Sequence, residues 1–278
     1  MSLQIIGDPV LHSKSPVIQG AMLSALGLDL EYTPHVVRRG ELPQYLAWAR
    51  ERGVTGFNAT MPHKEDLVPL LDEADPAAKT VGAVNTVCLR AGKWVGFNTD
   101  GAGAVAALEG AGLDPAGLTI TLLGAGGAAK AVALALSAAG AGRVFVCNRT
   151  LSRAQALCAQ DPLGRLSPAA FDVDTLTALA ETSQLLVNCT NLGMAGCDHQ
   201  FEDFSFLDAL PRDAAVFDAI YHPAETELLA RARRRGLKTL NGLPMLVNQA
   251  VLALERFLDR PLDRPAMAAV AAAALIQM

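Results

Sequence analysis

The sequence predicts an α/β fold made of two domains. Three observations lead to this prediction: the first third of the chain alternates apolar strand patterns with helical ones, a strand, a glycine turn, a helix and a strand follow one another over residues 119–150, and 278 residues suffice for two ordinary domains. Hydrophobic residues make up 51% of the chain and charged residues 18%, which is typical of globular proteins and not of disordered ones.

Strands and helices are predicted in turn along the first third. The strands are residues 3–7, 31–37 and 54–60, with a hairpin that turns at Ala91-Gly92. The helices are residues 41–52 and two that open at Ser15-Pro16 and at Pro62. Asp100 is the predicted N-cap of a further helix that ends near residue 108.

Two serines lie beside the start of the first helix. Ser15 is a natural N-cap with Pro16 at the first helical position, and capping alone explains Ser15. Capping does not explain Ser13. Two hydroxyls next to a helix N-terminus can also receive a carboxylate, which is the functional alternative.

Four polar residues fall at or just after predicted strand ends: Thr60, Lys64, Asn85 and Asp100. Open α/β sheets bind their ligands at strand ends, so we expect these residues to share a cleft. Lys64 favours this interpretation, because a cation in the first turn of a helix opposes the helix dipole unless another group holds it. The alternatives are a surface lysine and an aspartate that only caps a helix.

A dinucleotide-binding pattern follows the strand at residues 119–123. Gly124-Ala125-Gly126-Gly127-Ala128-Ala129 fits G-x-G-x-x-A and leads into an alanine-rich helix and a second strand at residues 143–147. The glycines allow a tight turn and a close approach of a pyrophosphate, which would then face the free N–H groups of the helix. A glycine turn without a ligand is the alternative.

The end of that second strand indicates which dinucleotide is bound. NAD-binding units usually place an acidic residue there to bind the ribose hydroxyls, whereas this chain has Asn148-Arg149-Thr150 and then Arg153. A guanidinium pairs with a 2′-phosphate and a carboxylate repels it. We therefore predict NADP as the cofactor, with a solvated arginine pair at a helix start as the alternative.

Alternating strands and helices continue to the end of the chain. Strands are predicted at residues 184–189, 215–220 and 237–240, and helices at residues 226–235, 246–258 and from residue 264. Gly236 is the predicted C′ residue of the first of these helices. The last two helices follow the nucleotide-binding sheet and could pack back on the first domain.

Composition argues against several other classes of protein. A net charge of −5 without any Lys/Arg block disfavours nucleic acid as a partner, and the longest apolar tract, residues 267–276, is too short to span a membrane. The first ten residues lack a basic segment before a long apolar one, so we expect a cytoplasmic protein. Five cysteines without C-x-x-C pairs and five scattered histidines predict neither disulfides nor a metal site.

The ordered motifs together resemble the shikimate dehydrogenase family along nearly the whole chain. The matching segments are Ser13-Lys14-Ser15-Pro16, Asn58-Ala59-Thr60-Met61-Pro62-His63-Lys64, Gly82-Ala83-Val84-Asn85-Thr86, Gly96-Phe97-Asn98-Thr99-Asp100-Gly101, residues 124–128, Asn148-Arg149-Thr150, residues 218–223 and residues 242–249.

This resemblance implies a discontinuous substrate domain of residues 1–101 and 241–278, with a Rossmann-type NADP-binding domain of residues 102–240 between its two parts. It implies the reversible reduction of 3-dehydroshikimate to shikimate, which belongs to the biosynthesis of chorismate and aromatic amino acids. The implied partner is the small-molecule substrate, and the implied assembly is a monomer or a homodimer.

The resemblance also assigns roles to residues. Lys64 and Asp100 are the implied catalytic pair, and a lysine ammonium can both polarise a ring ketone and supply the proton that its reduction requires. The implied substrate-binding residues are Ser13, Ser15, Thr60, Asn85, Tyr221 and Gln249. The implied cofactor-binding residues are Gly124, Ala125, Gly126, Gly127, Ala128, Asn148, Arg149, Thr150, Arg153, Ala219 and Gly242.

Some residues depart from the usual family pattern, and other functions stay open. Ala59, Cys189 and Asn191 replace residues more common in the family, whereas Ser15 favours shikimate, because relatives that use quinate often have threonine there. The first alternative is a quinate or quinate/shikimate dehydrogenase that uses NAD or NADP. The second is a non-catalytic NADP-binding regulatory protein, and the third is a Rossmann relative that acts on a folate or an aminoacyl-tRNA.

Overall fold

A computed structural model describes residues 2–276, which form two compact units. The first unit contains the chain up to Gly103 and again from Val247 onward, and the second contains Ala104–Leu246. The chain passes between the units inside two helices, α4 (Asp100–Gly110) and α9 (Leu243–Leu258). The predicted domain boundaries after residues 101 and 240 fall inside α4 and a few residues before α9.

The first unit contains a mixed six-stranded sheet. Its strands are β1 (Ser2–Gly7), β2 (Glu31–Val36), β3 (Val54–Ala59), β4 (Glu73–Ala74), β5 (Thr86–Arg90) and β6 (Lys93–Phe97). They lie in the order β2-β1-β3-β5-β6-β4, with β1 parallel to β2 and β3, and β5 antiparallel to β3 and β6. The predicted hairpin is confirmed, since Ala91 and Gly92 join β5 to β6 with φ angles of 48° and 79°.

Helices of both chain segments belong to this unit. They are α1 (Ser15–Ala25), α2 (Leu42–Glu51), α3 (Pro76–Val81), α10 (Arg264–Ile276) and the adjoining parts of α4 and α9. α10 packs against α1, and Gln19 Nε2 donates to the Ala250 carbonyl of α9 at 2.9 Å. Phe57 and Trp94 lie in the core with ring centroids 5.4 Å apart.

The second unit contains a fully parallel six-stranded sheet. Its strands are β7 (Thr119–Leu123), β8 (Arg143–Asn148), β9 (Leu166–Ala170), β10 (Leu185–Asn188), β11 (Ala215–Asp218) and β12 (Lys238–Leu240). The order β12-β11-β10-β7-β8-β9 is the 3-2-1-4-5-6 order of the doubly wound dinucleotide-binding fold when the strands are counted from β7. The order therefore reverses between β7 and β10, where such folds bind their ligands.

Four α-helices belong wholly to this unit: α5 (Gly127–Ala138), α6 (Leu151–Cys158), α7 (Val173–Ala180) and α8 (Glu227–Arg234). The predicted C′ glycine of α8 is confirmed, because Gly236 has a φ of 77°. Phe201, Phe204 and Phe206 contribute to a buried cluster with residues of α7 and α8.

The predicted helix from Pro62 is wrong. Residues 61–67 form turns, and only Val68–Leu70 form a short 3-10 helix. The physical reason is Pro69, which has no N–H to donate and whose ring would collide with the Glu65 carbonyl in an α-helix. The dipole argument for Lys64 therefore does not apply.

The start of α9 was predicted too late, and two α-helices and two strands were not predicted. α9 begins at Leu243, because proline in a first helical turn loses no hydrogen bond. The missed elements are α3, β4, β9 and α7. Both missed helices have an aspartate N-cap: Asp75 accepts from Ala78 N at 2.7 Å, and Asp172 accepts from Thr175 N at 2.8 Å.

Candidate active site

Lys64 and Asp100 form an ion pair in the first unit. Lys64 Nζ lies 2.6 Å from Asp100 Oδ2, with side chains 20% and 7% exposed. Water screens a mostly buried pair less than an exposed one, so the carboxylate holds the ammonium firmly. Lys64 follows β3 and Asp100 follows β6, which places the pair at one edge of the sheet.

Asp100 does not cap α4, contrary to the N-cap prediction. Its Oδ1 accepts from Asn85 Nδ2 at 2.8 Å and its Oδ2 accepts from Lys64. Within residues 2–276, neither oxygen accepts a backbone N–H of the helix. The carboxylate is therefore committed to side chains of the site and not to the helix start.

Asn85 lies at the centre of this hydrogen-bond network and is 2% exposed. Besides Asp100, its Nδ2 donates to Thr99 Oγ1 at 3.0 Å, and its Oδ1 accepts from Thr99 N at 2.9 Å. Gln249 Oε1 lies 3.5 Å from both Asn85 Nδ2 and Thr99 Oγ1. The structure thus brings together four predicted site residues, while Thr99 was not predicted.

The position of Asn85 has a different cause from the predicted one. Asn85 precedes β5 and does not follow a strand. Because β5 runs antiparallel to β3, the start of β5 lies at the same sheet edge as the end of β3. Asn85 therefore lies at the predicted edge of the sheet, but it does so at the start of an antiparallel strand and not at the end of a parallel one.

The structure at the start of the first helix differs from the prediction for Ser15. Lys14 is the N-cap residue of α1 and Ser15 is its first helical residue, so the predicted Ser15 N-cap is wrong. Ser15 N donates to Ser13 Oγ at 3.2 Å, which closes a local turn before the helix, and the N-cap residue Lys14 forms no side-chain cap hydrogen bond. The Ser15 hydroxyl forms no hydrogen bond within the described part of the chain.

Thr60 lies directly after β3, and its N–H donates to the Ile6 carbonyl at 2.9 Å. Its side chain is half-buried in the same unit as Ser13 and Ser15. Among the described residues, no hydrogen bond joins Thr60, Ser13 or Ser15 to the Lys64 and Asp100 pair.

The glycines after β7 serve different needs. Gly124 has a φ of 109°, and a Cβ there would lie 3.1 Å from the Cys189 carbonyl oxygen after β10, so the fold itself requires glycine. Gly126 has a φ of −83°, which any residue can adopt, and a Cβ there would meet no atom of residues 2–276 within 4 Å. The fold therefore does not require glycine at position 126, whereas a pyrophosphate that approaches the backbone there would require it.

The remaining residues of the turn fit the same ligand. Ala125 is buried, whereas Gly127 and Ala128 begin α5 with no side-chain cap on its first N–H groups. Uncapped N–H groups at a helix N-terminus bind phosphate through hydrogen bonds and the helix dipole. This turn therefore fits a dinucleotide.

Two exposed arginines follow β8: Arg149 comes directly after the strand, and Arg153 lies in the first turn of α6. Asn148 Nδ2 donates to the Thr150 carbonyl at 2.9 Å, and Thr150 is the N-cap residue of α6. Neither arginine side chain forms an ion pair within residues 2–276. β8 lies beside β7, so two guanidinium groups are available next to the glycine turn for a phosphate.

Backbone contacts at the end of β11 bring Ala219 and Gly242 together. Ala219 N donates to the Asn188 carbonyl at 2.8 Å, and Gly242 N donates to the Ile220 carbonyl at 2.9 Å. A Cβ on Gly242 would lie 2.0 Å from the Ala219 carbonyl oxygen. Tyr221 follows in the second unit, and burial raises the pKa of its phenol.

A buried aspartate that the sequence reasoning missed anchors these loops. Asp218 Oδ1 accepts from Asn188 Nδ2 at 3.0 Å and from Ile220 N at 3.1 Å, and its Oδ2 accepts from Thr226 Oγ1 at 2.6 Å. Asn188 Oδ1 in turn accepts from Thr190 Oγ1 at 2.7 Å. The position of Asp218 at the end of an apolar strand was the available signal.

Burial raises the pKa of Asp218 to about 6, and its three hydrogen bonds only partly oppose that shift. The folded protein therefore binds this proton more tightly than the unfolded chain, and the stability that it contributes is lost as pH rises from about 4 through 6. We expect wild-type protein to lose about 1 kcal/mol more unfolding free energy between pH 5 and pH 7 than Asp218→Asn. Urea unfolding at both pH values measures this difference; identical pH dependence would contradict it.

No helix within the described residues is long and apolar enough to cross a bilayer. Over the same residues, no group of three or more His, Cys, Asp or Glu side chains is arranged to hold a metal ion.

Comparisons with known proteins agree with both parts of the chain. A family model described as shikimate dehydrogenase substrate binding domain matches residues 5–87, and one described as shikimate / quinate 5-dehydrogenase matches residues 108–200. The shikimate dehydrogenase (NADP(+)) of Geobacter metallireducens is 43% identical over 257 residues, which cover 91% of this chain and 89% of that protein.

Solved structures show the same architecture. Shikimate 5-dehydrogenase from Thermus thermophilus, in complex with NADP(H) and shikimate, is 35% identical with a TM-score of 0.83 over 99% of each chain. Quinate dehydrogenase from Corynebacterium glutamicum, in complex with NAD, is 32% identical with a TM-score of 0.86 over 97% of this chain and 98% of that one.

These matches confirm the predicted fold class, an N-terminal α/β substrate domain with a Rossmann-type domain. Identity above 40% over most of the chain goes well beyond likeness of fold, and the matched regions include Lys64 and the glycine turn at Gly124. The chain belongs to the shikimate dehydrogenase family.

Proposed function

We propose that this protein catalyses the NADP-dependent, reversible reduction of 3-dehydroshikimate to shikimate, a step in the biosynthesis of chorismate and aromatic amino acids. The observation that carries the proposal is the ion pair between Lys64 and Asp100, 2.6 Å long and mostly buried, in a member of this family. A regulatory protein that only senses NADP would have no chemical need for this pair.

Lys64 is the proton donor in the reduction. Bound NADPH supplies the hydride for the ring carbonyl. The Lys64 ammonium donates a hydrogen bond to the carbonyl oxygen, stabilises the negative charge that develops there, and passes it a proton. Asp100 holds the ammonium in place, and in the oxidation direction Lys64 takes the proton back from the hydroxyl.

Six residues bind the substrate in this proposal. The Ser13 and Ser15 hydroxyls receive the carboxylate, and the uncommitted Ser15 hydroxyl at the start of α1 supports this role. Thr60, Asn85, Tyr221 and Gln249 contact the ring hydroxyls or the carboxylate. The shared network of Asn85 and Gln249 with Asp100 supports their assignment.

The second unit binds NADP. The pyrophosphate binds to the turn formed by Gly124, Ala125, Gly126, Gly127 and Ala128. The open space where a Cβ of Gly126 would lie supports this assignment. The other proposed cofactor-binding residues are Asn148, Arg149, Thr150, Arg153, Ala219 and Gly242.

We expect Gly126→Ala to weaken NADP binding about tenfold or more while leaving the stability of the cofactor-free protein unchanged. The added methyl group meets no atom of the described residues within 4 Å but would occupy space that the pyrophosphate needs. Titration of NADP by calorimetry and thermal unfolding without cofactor measure the two effects. Gly124→Ala is the contrasting variant and should lower stability itself. Unchanged NADP affinity in Gly126→Ala would contradict the assignment.

Arg149→Ala should weaken NADP binding about tenfold or more without changing NAD binding, because only NADP carries a 2′-phosphate for the guanidinium. Dissociation constants for both cofactors measure this selectivity. Arg212→Ala is the matched control, since Arg212 is exposed before the amino end of β11, at the opposite edge of the sheet. Equal loss of both cofactors would show that Arg149 has a structural role.

The organisation and setting of the protein are also proposals. We propose that residues 1–101 and 241–278 form the substrate domain and residues 102–240 the NADP-binding domain. We propose a cytoplasmic protein, monomeric or homodimeric, with no nucleic-acid partner, and its net charge of −5 supports the last point.

The direct test is the absorbance of reduced cofactor formed from NADP and shikimate at alkaline pH. We expect shikimate-dependent turnover. No turnover with shikimate would reject the proposal. The likeness to a quinate dehydrogenase bound to NAD makes quinate with NAD the competing pair to include.

A further inference from the structure

A line of buried hydrogen bonds leads away from the catalytic pair across β5 and β3. Thr86, which is fully buried, has its Oγ1 2.9 Å from Asn85 Oδ1 and 3.0 Å from Asn58 Nδ2. Asn58 Oδ1 lies 2.7 Å from the Tyr32 hydroxyl of β2. None of Tyr32, Asn58 and Thr86 has a role in the function proposed above.

Two backbone groups determine the direction of every bond in this line. The Asn85 carbonyl can only accept, so the Asn58 atom 3.0 Å from it must be nitrogen. The Thr99 N–H can only donate, so the Asn85 atom 2.9 Å from it must be oxygen. Because Thr86 Oγ1 accepts from Asn58, its one hydrogen points to Asn85 Oδ1, while the Tyr32 hydroxyl donates to Asn58 Oδ1.

We propose that Thr86, with Asn58 behind it, is a positioning residue for the Lys64 and Asp100 pair. The Asn85 oxygen receives the Thr86 hydroxyl and the Thr99 N–H, and these two donors set the plane of the amide. That plane directs Asn85 Nδ2 at Asp100 Oδ1, which leaves Asp100 Oδ2 for Lys64. The inference rests on the proposed function, since it assigns Thr86 to the same reaction.

The terminal torsion of an asparagine side chain is broad, so its amide plane depends on its hydrogen-bond partners. Without the Thr86 hydroxyl, Asn85 Oδ1 accepts hydrogen bonds only from the N–H and the hydroxyl of Thr99. Asn58 Nδ2 then donates only to the Asn85 carbonyl. The Asn85 amide then has a wider range of orientations. Both its contact to Asp100 and its proposed contact to substrate are lost for part of the time, which lowers turnover and weakens substrate binding.

The test compares Thr86→Val, which has nearly the same shape without the hydroxyl, with Thr86→Ser, which keeps the hydroxyl. We expect kcat/KM for shikimate to fall about tenfold in Thr86→Val, with a lower kcat and a higher shikimate KM but an unchanged NADP KM. Thr86→Ser should stay within about threefold of wild type. Rates are normalised to folded protein, so that loss of stability alone leaves kcat unchanged, and KM does not depend on the amount of folded protein.

Thr121→Val is the matched control. Thr121 is also fully buried on a strand, and its Oγ1 lies 2.8 Å from Ser183 Oγ in the second unit, so the variant loses a similar hydrogen bond. We expect its shikimate KM to equal that of wild type. Wild-type kinetics in Thr86→Val, or equal losses in Thr86→Ser and Thr86→Val, would overturn the proposal.

A second pair of variants decides the question if Thr86→Val does not fold. Tyr32→Phe removes the donor to Asn58, whereas Tyr45→Phe removes a similar buried bond of 2.9 Å to Gln4 Oε1 that does not lead to Asp100. We expect kcat/KM for shikimate to fall about threefold in Tyr32→Phe only. Equal kinetics in both variants would overturn the inference.

Wild-type activity is measured first, because it separates the two proposals. A wild-type protein without shikimate activity contradicts the proposed function. An active wild type with unaffected Thr86→Val contradicts only the role of Thr86.

Discussion

Lys64→Ala should lower kcat for shikimate oxidation by about a hundredfold or more, because general acid and base catalysis by one side chain is typically worth that much. Binding of shikimate should change little, since the proposed carboxylate and hydroxyl contacts come from other residues. Steady-state kinetics with NADP and equilibrium binding of shikimate separate the two effects.

The control for this variant is Lys93→Ala. Lys93 lies in the same unit and also forms an ion pair, with Glu73 at 2.7 Å, but its side chain is 60% exposed. Exposed ion pairs contribute little, so kcat and stability should match those of wild type. Turnover of Lys64→Ala close to that of wild type would remove Lys64 from the mechanism.

Gly242→Ala should lower the unfolding free energy of the cofactor-free protein by about 3 kcal/mol, at the upper end for overpacking. The new Cβ would lie 2.0 Å from the Ala219 carbonyl oxygen and 2.5 Å from its carbon. Both are backbone atoms, so the end of β11 must move to relieve the contact. Ala219 and Gly242 are proposed to line the NADP, so cofactor affinity should fall as well.

Urea unfolding without cofactor measures the first effect and NADP titration the second. Gly110→Ala is the matched control, because Gly110 ends a helix of the same unit and a Cβ there would meet no atom within 4 Å. Stability of Gly242→Ala equal to that of Gly110→Ala would contradict the close approach of the two backbone segments.

The nucleotide-binding unit could be predicted well because its signals are local. Strand, turn and helix over residues 119–150 lie next to one another in sequence, and the observed β7, α5 and β8 match them. α3 and α7 also had a local signal, because an aspartate N-cap precedes each helix. A prediction based on the spacing of apolar residues does not use this signal.

The proposed catalytic pair could be predicted only in part. Lys64 and Asp100 are 36 residues apart, and their contact depends on the antiparallel β3, β5 and β6, which the strand-end rule does not describe. The helix-dipole argument that favoured Lys64 is wrong, because Pro69 prevents the helix.

The support behind the pair could not be predicted from the sequence alone. Asn58, Thr86 and Thr99 act through hydrogen bonds whose donors and acceptors only the folded backbone determines. The same is true of the start of α1, where the Ser13 hydroxyl accepts a hydrogen bond of 3.2 Å from the Ser15 N–H.

The most direct test of the central claim is kcat/KM for four pairs: shikimate and quinate, each with NADP and with NAD. We predict that shikimate with NADP has the highest value, because Arg149 and Arg153 are available for a 2′-phosphate and Ser15 favours shikimate. Quinate with NAD as the best pair would contradict both the substrate and the cofactor assignment.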